Sequence, residues 1–200
     1  MCGFLVVGKK IDKSLFESEL EKIHYRGPDQ SATLLTEASN TFGFHRLAIM
    51  DLSEDGSQPF VSKSETTLVC NGEIYNHRQI KTDYISRYGF KSDSDCEVIL
   101  PVFEEYGIKK LCETLDGEYA FVIESKGKLY AGRDPMGIRP MFYGYTDDQK
   151  ICFASEAKAL LKLCKDIKAF PPGSYYADGE IKTFHDYRDV EPREERPLEE

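Results

Sequence analysis

No apolar run in this chain approaches the ~18 residues that a membrane-crossing helix needs. The apolar start is too short for a secretory signal and lacks the basic flank of one. There is no basic excess either. The formal net charge is −9, and Lys and Arg form no cluster that would track a nucleic-acid backbone. Neither a membrane nor a nucleic-acid partner is expected, and a cytoplasmic protein is. C-x-x-C pairs are missing, and His24, His45, His77 and His185 are too dispersed to hold a metal, so no metal site is expected. The chain contains neither G-x-x-x-x-G-K-[ST] nor G-x-G-x-x-G, which leaves no phosphate-cradling loop of those kinds. Internal repeats and low-complexity tracts are also absent.

What is present is ordinary for a globular protein. The 200 residues are 40% hydrophobic and 30% charged, enough for one domain with a full core or two small ones. The six cysteines, Cys2, Cys70, Cys96, Cys112, Cys152 and Cys164, are scattered, several inside apolar runs. They read as reduced buried thiols, not as a disulfide framework.

The most informative stretch is the start, Met1-Cys2-Gly3-Phe4-Leu5-Val6-Val7-Gly8. A short apolar run with β-branched members, closed by glycine, predicts a buried strand. If Met1 is removed, which the small second residue permits, Cys2 carries a thiol and a free α-amine together. With pKa values of ~8.5 and ~7.7–8.0, the two groups can exchange a proton near neutral pH. That suits a nucleophile that is its own base. The plain alternative is a small buried hydrophobe.

Further along, Asp12 caps a helix with Leu15, Phe16, Leu20 and Ile23 on one face, ended by Arg26-Gly27-Pro28-Asp29. Residues 30–36 and 41–50 read as strands, 51–58 as a polar loop, and Thr66 to Cys70 as a strand ending at Asn71-Gly72-Glu73. A helix from Asn76 or His77 should last to Gly89. Ser94 and Glu97 form a capping box for the next helix, which Pro101 should kink. Ile108 to Leu115 is a further short helix. Strands follow at 118–124, 128–133, 141–145 and 151–154, then a helix at 156–163. Two last strands, 173–177 and 180–185, flank Asp178-Gly179. From Asp186 the chain is charged and proline-bearing, with nothing to bury. Strands come in runs with helices grouped between them, which favours stacked sheets with helices outside over a βαβ series.

Four constellations bear on chemistry. Arg46, beside an apolar run, either pairs structurally or holds an anion such as a carboxylate. Asn71-Gly72-Glu73 is either a common turn or an oxyanion hole made of a side-chain amide and an approachable glycine amide. Asp95, at a helix start, either complements the helix dipole or holds a ligand ammonium. Arg133 to Pro140 is a dense turn, functional or rigidly structural. With Cys2, the first three supply a nucleophile with its own base, an oxyanion hole, a carboxylate clamp and an ammonium clamp. Glutamine is an amino acid that needs all four.

The motifs Met1-Cys2-Gly3, Tyr25-Arg26-Gly27-Pro28-Asp29, His45 to Asp51, Asn71 to His77 and Ser94 to Ile99 resemble class II glutamine amidotransferase domains. In order and spacing they are similar to the glutaminase half of glutamine-hydrolysing asparagine synthetases. Gly132 to Pro140, Phe153 to Leu160 and Phe170 to Tyr175 extend the likeness. It covers residues 2–187 and leaves 188–200 as a charged tail or linker.

The resemblance implies an α+β fold, a four-layer αββα N-terminal-nucleophile sandwich of two antiparallel sheets. It implies that Cys2 attacks the glutamine side-chain amide to give a thioester, with Asn71 and Gly72 holding the oxyanion. Arg46 would hold the α-carboxylate, helped by backbone through Leu47, Ala48, Ile49 and Met50, and Glu73 and Asp95 would hold the α-ammonium. No cofactor is implied for this reaction. ATP and Mg belong to the ATP-pyrophosphatase synthetase domain, whose Ser-Gly-Gly-x-Asp-Ser loop this sequence does not contain. The expected partners are L-glutamine and a synthetase domain or subunit that takes the ammonia, and asparagine synthesis by this chain alone is not expected. A non-catalytic glutamine-binding or regulatory remnant is the alternative. An amidotransferase for a phosphosugar acceptor fits the Asn71–His77 and Ser94–Ile99 stretches less well. Tyr25 departs from the histidine more common at its position, a change of packing rather than chemistry.

Overall fold

A computed structural model describes residues 1–186. The charged tail at 188–200 lies outside them. The chain's centre is β1 (Gly3–Val7), buried along its whole length. It alternates between two cores. Phe4 and Val6 face a second sheet, while Leu5 and Val7 face α1 (Lys13–Glu21). This explains why the strand reads as continuously apolar: it is covered on both sides. Asp12 caps α1 by accepting from the Leu15 N–H at 2.9 Å.

In the first sheet β1 lies between β3 (Thr41–Arg46) and β9 (Ile151–Ala154). β2 (Gln30–Leu35) closes one edge. β8 (Phe142–Tyr145) and β10 (Lys165–Ala169) continue to the other. The second sheet runs β12 (Glu180–Thr183), β11 (Ser174–Ala177), β7 (Lys128–Arg133), β6 (Gly117–Ser125), β5 (Thr67–Ile74), β4 (Phe60–Val61). Both are six-stranded, and every strand pair in them is antiparallel. α2 (His77–Tyr84) and α3 (Ile99–Thr114) cover the second sheet's outer face, with Ile80, Ile99 and Leu111 in its core. The order is helix, sheet, sheet, helix: the αββα sandwich expected.

Several boundaries differ from expectation. β3 stops at Arg46, not residue 50, because the next amides turn to side chains: Leu47 N–H to Cys2 Sγ and Ala48 N–H to the Asp29 carboxylate. β5 does not end before Asn71. Asn71, Gly72 and Glu73 pair with Ala120, Tyr119 and Glu118, so cross-strand pairing overrides the turn preference of Asn-Gly. α2 ends five residues before Gly89, where Arg87 and Tyr88 N–H close on the Tyr84 carbonyl.

The Ser94–Glu97 capping box does not form. Ser94 Oγ accepts from Cys96 N–H, while the Glu97 carboxylate turns back to Lys91 and Ser92. Pro101 sits in the first turn of α3, where its missing N–H is tolerated. The break comes at Gly107 (φ 75°), just before the segment read as a separate helix. The helix expected at 156–163 is only a 3₁₀ turn at Ala157–Ala159 followed by further turns, whose Ala159, Leu160 and Leu163 seal the first sheet's outer face. β4 and β10 gave no sequence signal. β4 has two residues, and β10 is a mostly exposed edge strand carrying Lys165, Asp166 and Lys168, a charged edge that resists further pairing.

Candidate functional site

Strand alternation brings the candidate residues to one end of the space between the sheets. Phe42 and Phe44 face the second sheet, so Arg46 falls on that side too. Cys2 precedes Phe4 by two and packs against the same core. Continuing the Gly3–His45 register by one sets Cys2 across from Arg46. In the opposite sheet Val69 faces this core, and Asn71 follows it on the same face.

The result is a cavity of about 100 Å³. Cys2, Arg46, Leu47, Ile49, Met50, Asn71, Gly72, Glu73 and Asp95 line it. Ala48 does not. Its N–H is held by Asp29 Oδ2 at 2.8 Å, outside the cavity wall. Sequence reasoning missed Gln58 and Arg139 as lining residues. Arg139 lies in the dense turn already singled out, and Asp134 holds its N–H at 3.1 Å. Gln58 gave no signal. Its side chain bridges the Cys70 carbonyl (3.1 Å) and N–H (2.6 Å), bracing β5 just before Asn71.

The electrostatics differ around each group. Burial pushes the Cys2 thiol above its ordinary value, opposed by the Leu47 N–H at 3.4 Å, the chain amine and Arg46. The terminal amine, here that of Met1, is lowered, first by burial and then by Arg26 and Arg139, against the opposing charges of Cys2 and Asp29. Both shifts favour the neutral forms, so the amine is free to accept a proton while burial makes the thiol harder to ionise.

Arg46 is 5% exposed. Its Nη1 donates to Gln30 Oε1 (2.8 Å) and the Ser53 carbonyl (2.7 Å), and Nη2 donates to the Asp51 carbonyl. The 51–57 loop thus wraps the guanidinium and fixes it. Asp95 is 3% exposed, and its Oδ2 accepts from Ile74 N–H at 2.7 Å. Glu73 is exposed, on the neighbouring wall.

Asn71 is 2% exposed, and its Nδ2 has no partner among the described residues. A buried amide left unpaired costs about 1–3 kcal/mol, so it points to a ligand acceptor. Gly72 lies flat against β6. A Cβ there would meet the Glu118 carbonyl oxygen at 2.5 Å and Tyr119 Cα at 2.8 Å. Gly72→Ala should therefore lower Tm by several degrees, overpacking costing about 1–3 kcal/mol. A calorimetric Tm equal to wild type would contradict the close approach.

Among the described residues no group of three His, Cys, Asp or Glu side chains could hold a metal ion. All six thiols are free. No helix among the described residues is long and apolar enough to cross a membrane.

A family model described as a glutamine amidotransferase domain matches residues 1–187. Asparagine synthetase B [glutamine-hydrolyzing] of Escherichia coli K12 is 40% identical over 173 residues, covering 84% of this chain and 31% of that protein. A probable asparagine synthetase [glutamine-hydrolyzing] of Acanthamoeba polyphaga mimivirus is 39% identical over 185 residues, covering 88% and 33%. The chain thus spans about a third of the length of these relatives. Among solved structures, glutamine phosphoribosylpyrophosphate amidotransferase from B. subtilis superposes with a TM-score of 0.77 at 20% identity, covering 92% of this chain and 49% of that one. That likeness establishes a common fold.

Proposed function

We propose, from the premise that this chain belongs to the class II glutamine amidotransferase family and is related to the glutaminase domain of asparagine synthetases, that it hydrolyses L-glutamine through Cys2. The observation that carries this is the shared cavity: the Cys2 thiol opens onto the same small space as the unpartnered Asn71 amide. Arg46 sits on one wall, and Glu73 and Asp95 on another.

With Met1 removed, the α-amine of Cys2 takes the thiol proton. Sγ attacks the glutamine side-chain carbonyl carbon, and the oxyanion is received by Asn71 Nδ2 and the Gly72 amide. The C–N bond breaks as the ammonium returns its proton to the leaving nitrogen, and ammonia departs. Water then attacks the thioester, passing a proton to the amine. The C–S bond breaks as the ammonium returns its proton to sulfur, which restores the thiol and releases glutamate. Arg46 holds the α-carboxylate, and Glu73 and Asp95 hold the α-ammonium. The chemistry needs no cofactor.

Ammonia then goes to asparagine synthesis by a synthetase domain or subunit, the activity named for the relatives. The residues here correspond to about a third of those relatives' length, and the part proposed for them is the nitrogen supply. The rival reading, a glutamine-binding module without catalysis, keeps Met1. Intact mass together with glutamate release decides. The expected result is a mass lacking the initiator methionine and glutamate formed from glutamine, with no asparagine when ATP and aspartate are added. A retained Met1 with no glutamate would establish the binding module instead.

A further inference from the structure

A group of four side chains lies behind the nucleophile and takes no part in the steps above. Arg26 Nε donates to the Cys2 carbonyl oxygen at 2.9 Å. Arg26 Nη1 pairs with Glu156 Oε1 at 2.9 Å, and the two side chains are 8% and 21% exposed. The Tyr25 hydroxyl donates to the same Oε1. Lys158 Nζ reaches Oε2 at 3.2 Å and sits 4.2 Å from the centroid of the Tyr25 ring. Burial raises the Glu156 carboxyl, but bonds from Tyr25, Arg26 and Lys158 outweigh it and hold the group below its ordinary value. Glu156 is therefore an anion throughout the neutral range.

Cys2 needs such support because the sheet does not supply it. The hydrogen-bonded register of β1 with β3 begins at Gly3, and that with β9 at Leu5. A terminal residue beyond the last rung frays unless something ties it down. The tie at its carbonyl is Arg26, whose long side chain would keep several rotamers open to it if nothing fixed the guanidinium. Packing helps: a Cβ on Gly3 would lie 3.3 Å from Arg26 Cδ, so the arm rests on the β1 backbone. The far end is fixed by Glu156.

We propose that Glu156 is a positioning residue: it aims the Arg26 guanidinium at the Cys2 carbonyl and so fixes how β1 presents the sulfur to Asn71 and Gly72. This rests on the glutaminase reading and deepens it. Tyr25 acts through the same carboxylate, as its second donor. None of the substrate-holding groups, Arg46, Glu73 and Asp95, is bonded to Glu156, so the effect falls on the chemical step and spares binding.

The test is steady-state glutamate release by the full chain. Glu156→Gln should lower kcat by about tenfold or more, as misplacement of a reacting group does. KM for glutamine should stay within about twofold of wild type, since ground-state contacts are untouched. Glu156→Asp should fall between the two, because it keeps the charge with shorter reach. Tyr25→Phe should lower kcat more modestly, and a residue 63% exposed gives the fold little to lose. Wild-type kcat in Glu156→Gln overturns the proposal. So does a rise in KM with kcat unchanged. If Glu156→Gln does not fold, Tyr25→Phe and Glu156→Asp decide, and wild-type kcat in both overturns it. A wild-type chain releasing no glutamate fails the glutaminase reading itself, and this proposal with it.

Discussion

Replacing Cys2 by alanine is expected to reduce glutamate release by at least about a thousandfold while the fold survives. The size follows from the role. A nucleophile that forms the covalent bond has no substitute in this cavity. Cys70 and Cys96 also line it, but both are buried, and the Cys96 thiol is pushed well above its ordinary value by its hydrogen bond with Cys70, by burial and by neighbouring charge. Neither shares its residue with a free amine. The fold survives because Cys2 lies beyond the β1 register and is only partly buried. Its loss removes one sulfur atom's packing and the Leu47 contact, so Tm should move by no more than ~3 °C. Alanine at position 2 is also small enough for Met1 to be removed, which makes the variant a test of the sulfur alone. Retained hydrolysis with an intact fold would end the assignment.

Asn71→Ala should be nearly as damaging to catalysis and harmless to stability. Removing one oxyanion donor costs about 10²–10³ in kcat, or ~2.7–4 kcal/mol at the transition state. Core side chains cut to alanine usually also lower Tm. Here the amide Nδ2 is buried with no partner among the described residues, so deleting it relieves a cost of about 1–3 kcal/mol that offsets the lost packing. The expected pattern is a collapse in kcat, a KM within a few-fold of wild type, and a Tm unchanged or raised. A large drop in Tm with kcat preserved would mean that Asn71 is a structural residue and that the oxyanion lies elsewhere.

Much of the architecture was legible because burial leaves a period in the sequence. Lys128–Arg133 and Ile151–Ala154 stand where the pattern put them, and Asp12 caps its helix as its type suggests. The misses have different causes, and the first is local preference lost to long-range pairing. Asn71-Gly72 has turn chemistry but lies mid-strand, held by Tyr119 and Ala120. Ser94 and Glu97 have capping-box spacing, but a nearby loop claims the Glu97 carboxylate. β10 was invisible because an edge strand needs no apolar alternation.

The chemical parts can be read from the residues alone: a cysteine at position 2, an arginine after an apolar run, an amide beside a glycine, an acid at a helix start. So can the alternation that buries β1 on both faces, because side chains on a strand change sides at every residue. That these parts meet follows from how the two sheets pack. Cys2 and Arg46 come from one sheet and Asn71 and Gly72 from the other, and no local pattern encodes the register that aligns the two ends. Folding also leaves the Asn71 amide without a partner among the described residues and closes Glu156, 154 positions from the nucleophile, on Arg26 behind it. Both depend on which backbone and side-chain groups remain unsatisfied once the sheets have packed, and that exists only in the folded chain.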